Sequence, residues 1–409
     1  MILRAPKGTD DILPPASAAW RRLLRAFDEL SERFGYSLVI TPMFEATELF
    51  ARGVGADTEV VEKQMYSFED KGGRSVTLRP EATASVVRAY LQSGAQGVFK
   101  GAYSGPMFRY EQPQAGRRRQ FHQVGVEYIG EPSPDADVEV IELGLRLLEA
   151  VGITDAVVLL NSIGDPADRT AYRDLLTAYL VDRQDQLSAE ARRRMITNPL
   201  RVLDSKADAA VVAEAPVPAE HLGPDAAAHI AAVRSGLDAI GVPHREEPRL
   251  VRGLDYYNRT VFEYQSASYD AAQAALGGGG RYDPLAAMLG GPDVPGVGLA
   301  MGVDRIVLAM AAGEEGTALD VFVVAADPAF REAAVGLVGS LRAAGLRADL
   351  DLGGRSVKAQ FRAADRRRAG TAAVVGEDFE AGRVTMRDLK SGAESSVEAR
   401  EVTPWIRNH

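Results

Sequence analysis

Apolar residues recur at Trp20, Leu23, Leu24, Phe27, Leu30 and Phe34, and this helical spacing predicts an amphipathic helix over residues 15–35, ended by Gly35. Tyr36 to Pro42 then reads as a strand, 74–79 as another, and Glu81 to Leu91 as a helix with Pro80 at its start. Between Gly105 and Ile129, two strand-like ends flank a polar centre rich in Gln, Gly and Arg, the pattern of a long hairpin with a mobile basic loop. Residues 135–150 look helical and Ala156 to Leu160 strand-like. From Pro166 to Pro243 the composition shifts to Ala, Arg, Asp and Leu with few aromatics, and a helical insertion between two parts of one domain is expected. Strand signals return at Val261–Tyr264, followed by the motifs Gly277-Gly-Gly-Gly-Arg-Tyr-Asp283 and Val297-Gly-Leu-Ala-Met-Gly-Val-Asp-Arg-Ile306. Beyond the small and polar stretch 311–317, segments 321–325, 329–344, 347–350, 355–366 and 372–375 alternate β and α, as a small doubly covered sheet would. The expected divisions are 1–165, an insertion at 166–238, 239–312, a linker at 313–319, and 320–409.

A chain of 409 residues exceeds one ordinary domain. It has no cysteine, which excludes disulfides, iron–sulfur clusters, thiolate zinc sites and a Cys nucleophile. The segment Met-Ile-Leu-Arg-Ala-Pro-Lys-Gly lacks signal-peptide character, and no apolar run approaches the ~18 residues of a membrane span. A cytoplasmic location without a membrane partner is expected. The formal charge of −10 argues against non-specific nucleic-acid binding by the whole surface. It is uneven: residues 320–409 hold 14 Lys+Arg against 13 Asp+Glu, which leaves −11 for 1–319. There, Arg355, Lys358, Arg362 and Arg366 would share one helix face and Val357, Phe361 and Ala364 another; the basic face suits a phosphate backbone or water alike.

The glycines of Gly277-Gly-Gly-Gly-Arg-Tyr-Asp283 do not match a phosphate-binding loop or a dinucleotide fingerprint. A tight turn or a close approach of backbones would each account for them. His122, His221, His229, His244 and His409 lack metal-ligand spacing, so neither a protein-held metal nor a Ser–His–acid triad is expected. Chemistry gathers instead on arginine. In Leu250-Val-Arg-Gly-Leu-Asp-Tyr-Tyr-Asn-Arg-Thr-Val-Phe-Glu263, Arg252 offers a permanently charged fork for phosphate or carboxylate, and Tyr256 and Tyr257 offer rings and hydroxyls to a planar ligand. Arg109, Arg117, Arg252 and Arg305 each lie in or beside a strand, turn or glycine motif. Converging on one cleft they would suit a triphosphate; singly, each would serve as a surface ion pair.

These segments resemble the class II aminoacyl-tRNA synthetases: Pro42 their motif 1, Phe108-Arg-Tyr-Glu111 through Phe121 motif 2, and Gly298-Leu-Ala-Met-Gly-Val-Asp-Arg305 motif 3. Leu78-Arg-Pro-Glu-Ala-Thr83, Arg119-Gln-Phe-His-Gln-Val-Gly-Val-Glu127 and Arg252-Gly-Leu-Asp-Tyr-Tyr257 resemble histidyl-tRNA synthetases in particular, from Lys7 to Phe361. The resemblance implies an α+β fold: an antiparallel catalytic sheet flanked by helices, a helical insertion, and a C-terminal α/β anticodon-binding domain at 320–409. It also implies a homodimer. Histidine would attack the α-phosphate of ATP, with Mg²⁺ accompanying the nucleotide, and the adenylate would pass histidine to the 3′ end of tRNA(His).

By the same resemblance Arg252, Arg109 and Gln123 are catalytic. Glu81, Thr83, Gln123, Glu127, Tyr256 and Tyr257 would join Arg109 and Arg252 around histidine. Arg109, Glu111, Arg117, Phe121 and Arg305 would bind ATP, and Gln112, Gln114, Arg355, Lys358 and Arg362 tRNA. Gln112 departs from the arginine that many family members carry there, which bears on how the extra 5′ guanosine of tRNA(His) is read. A competing expectation is the regulatory subunit of ATP phosphoribosyltransferase, which shares the catalytic fold and senses histidine; such subunits generally lack the anticodon domain and the catalytic arginines.

Overall fold

The computed structural model describes residues 3–55, 58, 60–114, 116–251, 254–266, 275–310 and 319–408. Arg252, and the expected linker up to 318, lie outside the described residues. Two compact units divide the chain, Met1–Ala311 and Ala312–His409.

The first unit runs α1 (Ala16–Arg33), β1 (Ser37–Leu38), β2 (Phe44–Ala46), α2 (Thr47–Val54), β3 (Tyr66–Glu69), β4 (Ser75–Leu78), α3 (Thr83–Ser93), β5 (Phe99–Phe108), β6 (Gln120–Ile129), α4 (Pro134–Ala150) and β7 (Ala156–Ser162). After α5 (Pro166–Asp182), α6 (Ala189–Thr197), α7 (Ala209–Ala213) and α8 (Pro224–Ala239) come β8 (His244–Glu246), β9 (Asn258–Ser266), β10 (Ala275–Arg281), α9 (Leu285–Met288), β11 (Gly296–Gly302) and α10 (Val303–Ala309). The main sheet has the order β1-β5-β6-β11-β10-β9-β7-β8. Its central strands pair antiparallel, and β1 and β8 are short parallel edges.

Strand alternation gives this sheet two unlike faces. Val124, Val126, Leu299, Met301, Phe262 and Tyr264 form the main core with α1, α4, α8 and α10. Tyr103, Met107 and Val261 face the other way, toward α3, α9 and a tyrosine cluster. Helices α5 to α7 enclose a separate core around Tyr172, Leu176, Met195 and Val211, whereas α8 joins the main core through Ile230, Val233 and Leu237.

Two local expectations shift. Of Tyr36–Pro42 only Ser37–Leu38 forms a strand; one more bond, Val39 N–H to Ala102 O at 2.7 Å, extends the pairing, and Pro42 has no N–H to continue it. The helix expected from Glu81 begins at Thr83, because the Glu81 carboxylate accepts the backbone N–H of Thr83 (2.7 Å) and of Ala84 (3.0 Å) from ahead of the first turn.

The second unit runs β12 (Leu319–Ala325), α11 (Arg331–Ala343), β13 (Ala348–Leu350), α12 (Val357–Arg366), β14 (Ala369–Val375), β15 (Arg383–Asp388), β16 (Glu394–Glu398) and α13 (Val402–Asn408), with the sheet order β13-β12-β14-β15-β16. Val321 and Val323 pack against α11 and α13, and Phe322 and Val324 against Ala363 and Ala364 of α12. Both faces are therefore covered, as the alternation predicts. Helix α12 starts only at Val357, so Arg355 stands before it instead of on its basic face.

Candidate active site

A cavity of about 220 Å³ opens on the α3 side of the sheet. Its floor, where β6, β11 and β10 meet, is kept clear by glycine. A methyl group at Gly298 would meet the Glu127 carboxylate, and one at Gly280 the Tyr257 ring. The tetraglycine run is thus a sheet strand that the backbones of its neighbours, at Gly298 and Thr260, approach closely, and not a turn.

Glu81, Thr83, Arg109, Glu111, Arg117, Phe121, Gln123, Tyr256, Tyr257 and Arg305, all singled out in the sequence, line this one cavity. Glu127 lies just beneath the lining and is fully buried. Thr83 donates from Oγ1 to its Oε1 at 2.7 Å, and Tyr282 donates its hydroxyl to Oε2 at 2.5 Å. Burial pushes this carboxyl up to about 8 against the pull of those two bonds. Burial raises Glu81 as well, opposed by the α3 backbone N–H groups and Arg109. Gln123 Oε1 is buried with no hydrogen-bond partner, and the Tyr103 hydroxyl is buried toward Thr83 and Glu127. Unsatisfied polar atoms on a cavity wall are the groups a polar ligand would complete.

The Tyr256–Tyr257 rings lie 4.6 Å apart, and Tyr256 meets Tyr282 edge-on at 5.9 Å. Their loop is held from α5, where Arg169 Nη1 donates to the carbonyls of Asp255 (2.9 Å) and Tyr257 (2.8 Å).

Across the cavity the character becomes cationic. Arg109 donates from Nε to Pro80 O at 2.9 Å, and its guanidinium sits 5.2 Å from the centre of the Phe121 ring. Arg305 donates to Gly116 O (3.2 Å) and Ala275 O (2.9 Å); burial and the nearby Arg117 lower its pKa while Glu111 opposes them. Arg117 lies 3.9 Å from Glu111. Gln114 and Arg117 exchange backbone bonds of 3.0 and 2.9 Å that close the hairpin loop, on which Gln112 and Gln114 are exposed. One end of the cavity can thus take a polar ring and an ammonium, and the other a polyphosphate and a planar base.

In the second unit Lys358 and Arg362 are exposed on α12. Arg355 is engaged locally: its Nη2 lies 2.7 Å from Asp351 Oδ1, and it holds that carboxyl down to about 2.

Sequence reading missed Tyr282, Tyr103 and Glu263, which also line the cavity. Tyr282 and Glu263 sat inside segments already singled out, where attention went to glycine and arginine. Tyr103 carries no motif of its own, and only its pairing opposite Gly125 of β6 brings it to the site.

The histidyl-tRNA synthetase family matches residues 8–306, and the anticodon-binding domain family matches residues 320–409. The histidine--tRNA ligase of Desulforudis audaxviator is 46% identical over 417 residues, covering 100% of this chain and 99% of its own length. That of Halothermothrix orenii is 43% identical over 409 residues, 97% of each chain. Among solved structures, apo histidyl-tRNA synthetase of S. aureus matches with a TM-score of 0.81 and 34% identity, over 99% of this chain and 100% of that one. A Bacillus halodurans protein described as an ATP phosphoribosyltransferase regulatory subunit/histidyl-tRNA synthetase reaches 0.66 at 24% identity, over 92% of this chain and 99% of that one, a likeness of fold alone. Full-length identity to histidine--tRNA ligases and the matched anticodon-binding segment decide against the sensor alternative. With motifs, sheet, cavity and relatives in agreement, the chain belongs to the histidyl-tRNA synthetases, class II ligases that use ATP to join histidine to tRNA.

Proposed function

We propose that histidine binds at the tyrosine end of the cavity and ATP at the arginine end, and that both steps of charging run there. Glu127 accepts the imidazole N–H. Its two oxygens are fixed by Thr83 and Tyr282, and each keeps a lone pair for the ligand. Glu81, Thr83 and Gln123 take the α-amino group, and Tyr256 and Tyr257 flank the ring. Arg109, held by Pro80, meets the histidine carboxylate and the α-phosphate as negative charge develops between them. Phe121 and Arg305 sandwich adenine, Glu111 reads its amino group, and Arg117 meets the outer phosphates. Arg252 completes the charge clamp in this reading. An apolar amino acid of similar shape would leave Glu127, Tyr282 and Thr83 without a ligand partner, which gives selectivity without an editing step.

Mg²⁺ in this reading enters with ATP, carried mostly by phosphate oxygens, and Glu263 is a cavity carboxylate able to add to its shell. Bound there it supplies charge neutralisation. Lys358 and Arg362 of α12, with Arg355 beside them, contact the tRNA backbone, and Gln112 and Gln114 meet its acceptor end. The protein works in the cytoplasm as a homodimer; supporting the pairing of two copies, Leu38, Ile40, Met43 and Phe44 form an exposed apolar strip around Pro42, with Ile40 84% accessible.

The observation that carries the site assignment is the buried Glu127 carboxyl with both oxygens already oriented. The test is ATP–pyrophosphate exchange by Glu127→Gln. KM for histidine should rise roughly 10- to 100-fold while KM for ATP stays within about threefold. An unchanged KM for histidine would remove Glu127 from the site.

A further inference from the structure

Arg281, at the end of β10, is the largest fully buried side chain in the described residues. Its Nη1 donates to Glu131 O at 3.1 Å and to Asp283 Oδ1 at 3.2 Å. Its Nη2 donates to Ser133 O at 3.0 Å and to Asp137 Oδ2, and its Nε to Asp137 Oδ2 at 3.1 Å. Every N–H of the guanidinium fork thus has an acceptor. Asp137 of α4 is equally buried, and His229 of α8 lies 3.4 Å from it. None of these groups lines the cavity. A buried ion pair adds little net stability over apolar side chains of the same size, so what this one contributes is a fixed geometry.

That geometry bears on the neighbouring residue. Tyr282 points into the site and holds Glu127 at 2.5 Å. On its other side Asp283 accepts the Asn258 amide at 3.0 Å and the Gly296 N–H at 3.1 Å, joining the ends of β9 and β11. Tyr282 is therefore clamped from both flanks, by Arg281 below and Asp283 beside it. We propose that Arg281 is a positioning residue for histidine recognition: anchored beneath the sheet to Asp137 and Asp283, it fixes Tyr282 and, through it, the Glu127 carboxylate. The inference rests on the reading of Glu127 as the imidazole acceptor.

Exchange kinetics on the full chain test it, with KM and kcat measured separately for histidine and ATP. The variants are Tyr282→Phe, the pair Arg281→Met with Asp137→Leu, and all three together. The paired replacement removes both charges and leaves neither buried alone. Tyr282→Phe and the pair should each raise KM for histidine roughly tenfold with KM for ATP within about twofold. The triple variant should be no worse than the worse of the two, because the effect of Arg281 passes through Tyr282. A paired variant with wild-type KM for histidine, or a triple variant whose losses multiply, overturns the positioning role. If the pair does not fold, Arg281→Lys, which keeps the charge and loses the fork, enters the same comparison. Tyr282→Phe and Glu127→Gln both leaving KM for histidine unchanged would instead overturn the reading of Glu127, and the positioning role with it.

Discussion

Burial raises the Glu127 carboxyl to about 8 in spite of its bonds from Tyr282 and Thr83, so near neutral pH the ligand-free site holds a proton there. Free imidazole titrates near 6.5. Between about pH 6.5 and 8, neutral imidazole and protonated carboxyl bring one proton between them, the number that a bound imidazolium–carboxylate pair would hold. Below that window the ligand carries an extra proton that binding must release; above it the site has lost one that binding must recover. Histidine affinity should therefore be bell-shaped in pH, and Glu127→Gln should lose the alkaline limb. Calorimetric titration from about pH 5.5 to 9 checks this, and wild-type affinity that stays flat beyond about pH 8 would contradict it. The same group sets a sign for stability. The folded state keeps a proton that the unfolded chain releases near the ordinary carboxylate range, so this contribution is complete below that range and is lost as pH rises through about 8. Residue-level chemistry was only partly legible in the sequence. Glu127 could be named from its motif, but its raised pKa and its bond to Tyr282 depend on neighbours more than 40 residues away along the chain.

At the scale of elements, the glycine floor decides whether a pocket exists. Gly298→Ala would place a methyl group against the Glu127 carboxylate and backbone of β6. Overpacking of this kind costs about 1–3 kcal/mol. A lower thermal midpoint and a KM for histidine raised at least roughly tenfold are expected, and a variant with wild-type histidine kinetics would show that Glu127 does not need that space. Periodicity predicted α1, α4 and the long β5–β6 hairpin because each has a clear apolar face or strand ends of strong β propensity. It left the tetraglycine open between a tight turn and a close approach of backbones, since glycine has no side chain to reveal a period. It gave no sign of β16, whose residues are almost all exposed and polar, as suits a sheet edge. The start of α3 was misplaced for a physical reason: Glu81 caps the helix from outside it.

For the whole molecule, the two units divide the labour: the first carries the cavity, and the second matches the anticodon-binding family. That organisation was legible because motifs spaced from Lys7 to Phe361 resemble one family; the packing of α8 into the main core was not, since its apolar positions look like those of its helical neighbours. Reversing charge at Lys358→Glu and Arg362→Glu should raise KM for tRNA several-fold and flatten its salt dependence while leaving tRNA-free exchange intact. Equal loss of both activities would place these side chains elsewhere in the mechanism. The most direct measurement is amino-acid-dependent ATP–pyrophosphate exchange by the full-length protein without tRNA, each amino acid offered in turn. Exchange with histidine alone is predicted. Histidine binding without exchange, or comparable exchange with other amino acids, would contradict the account.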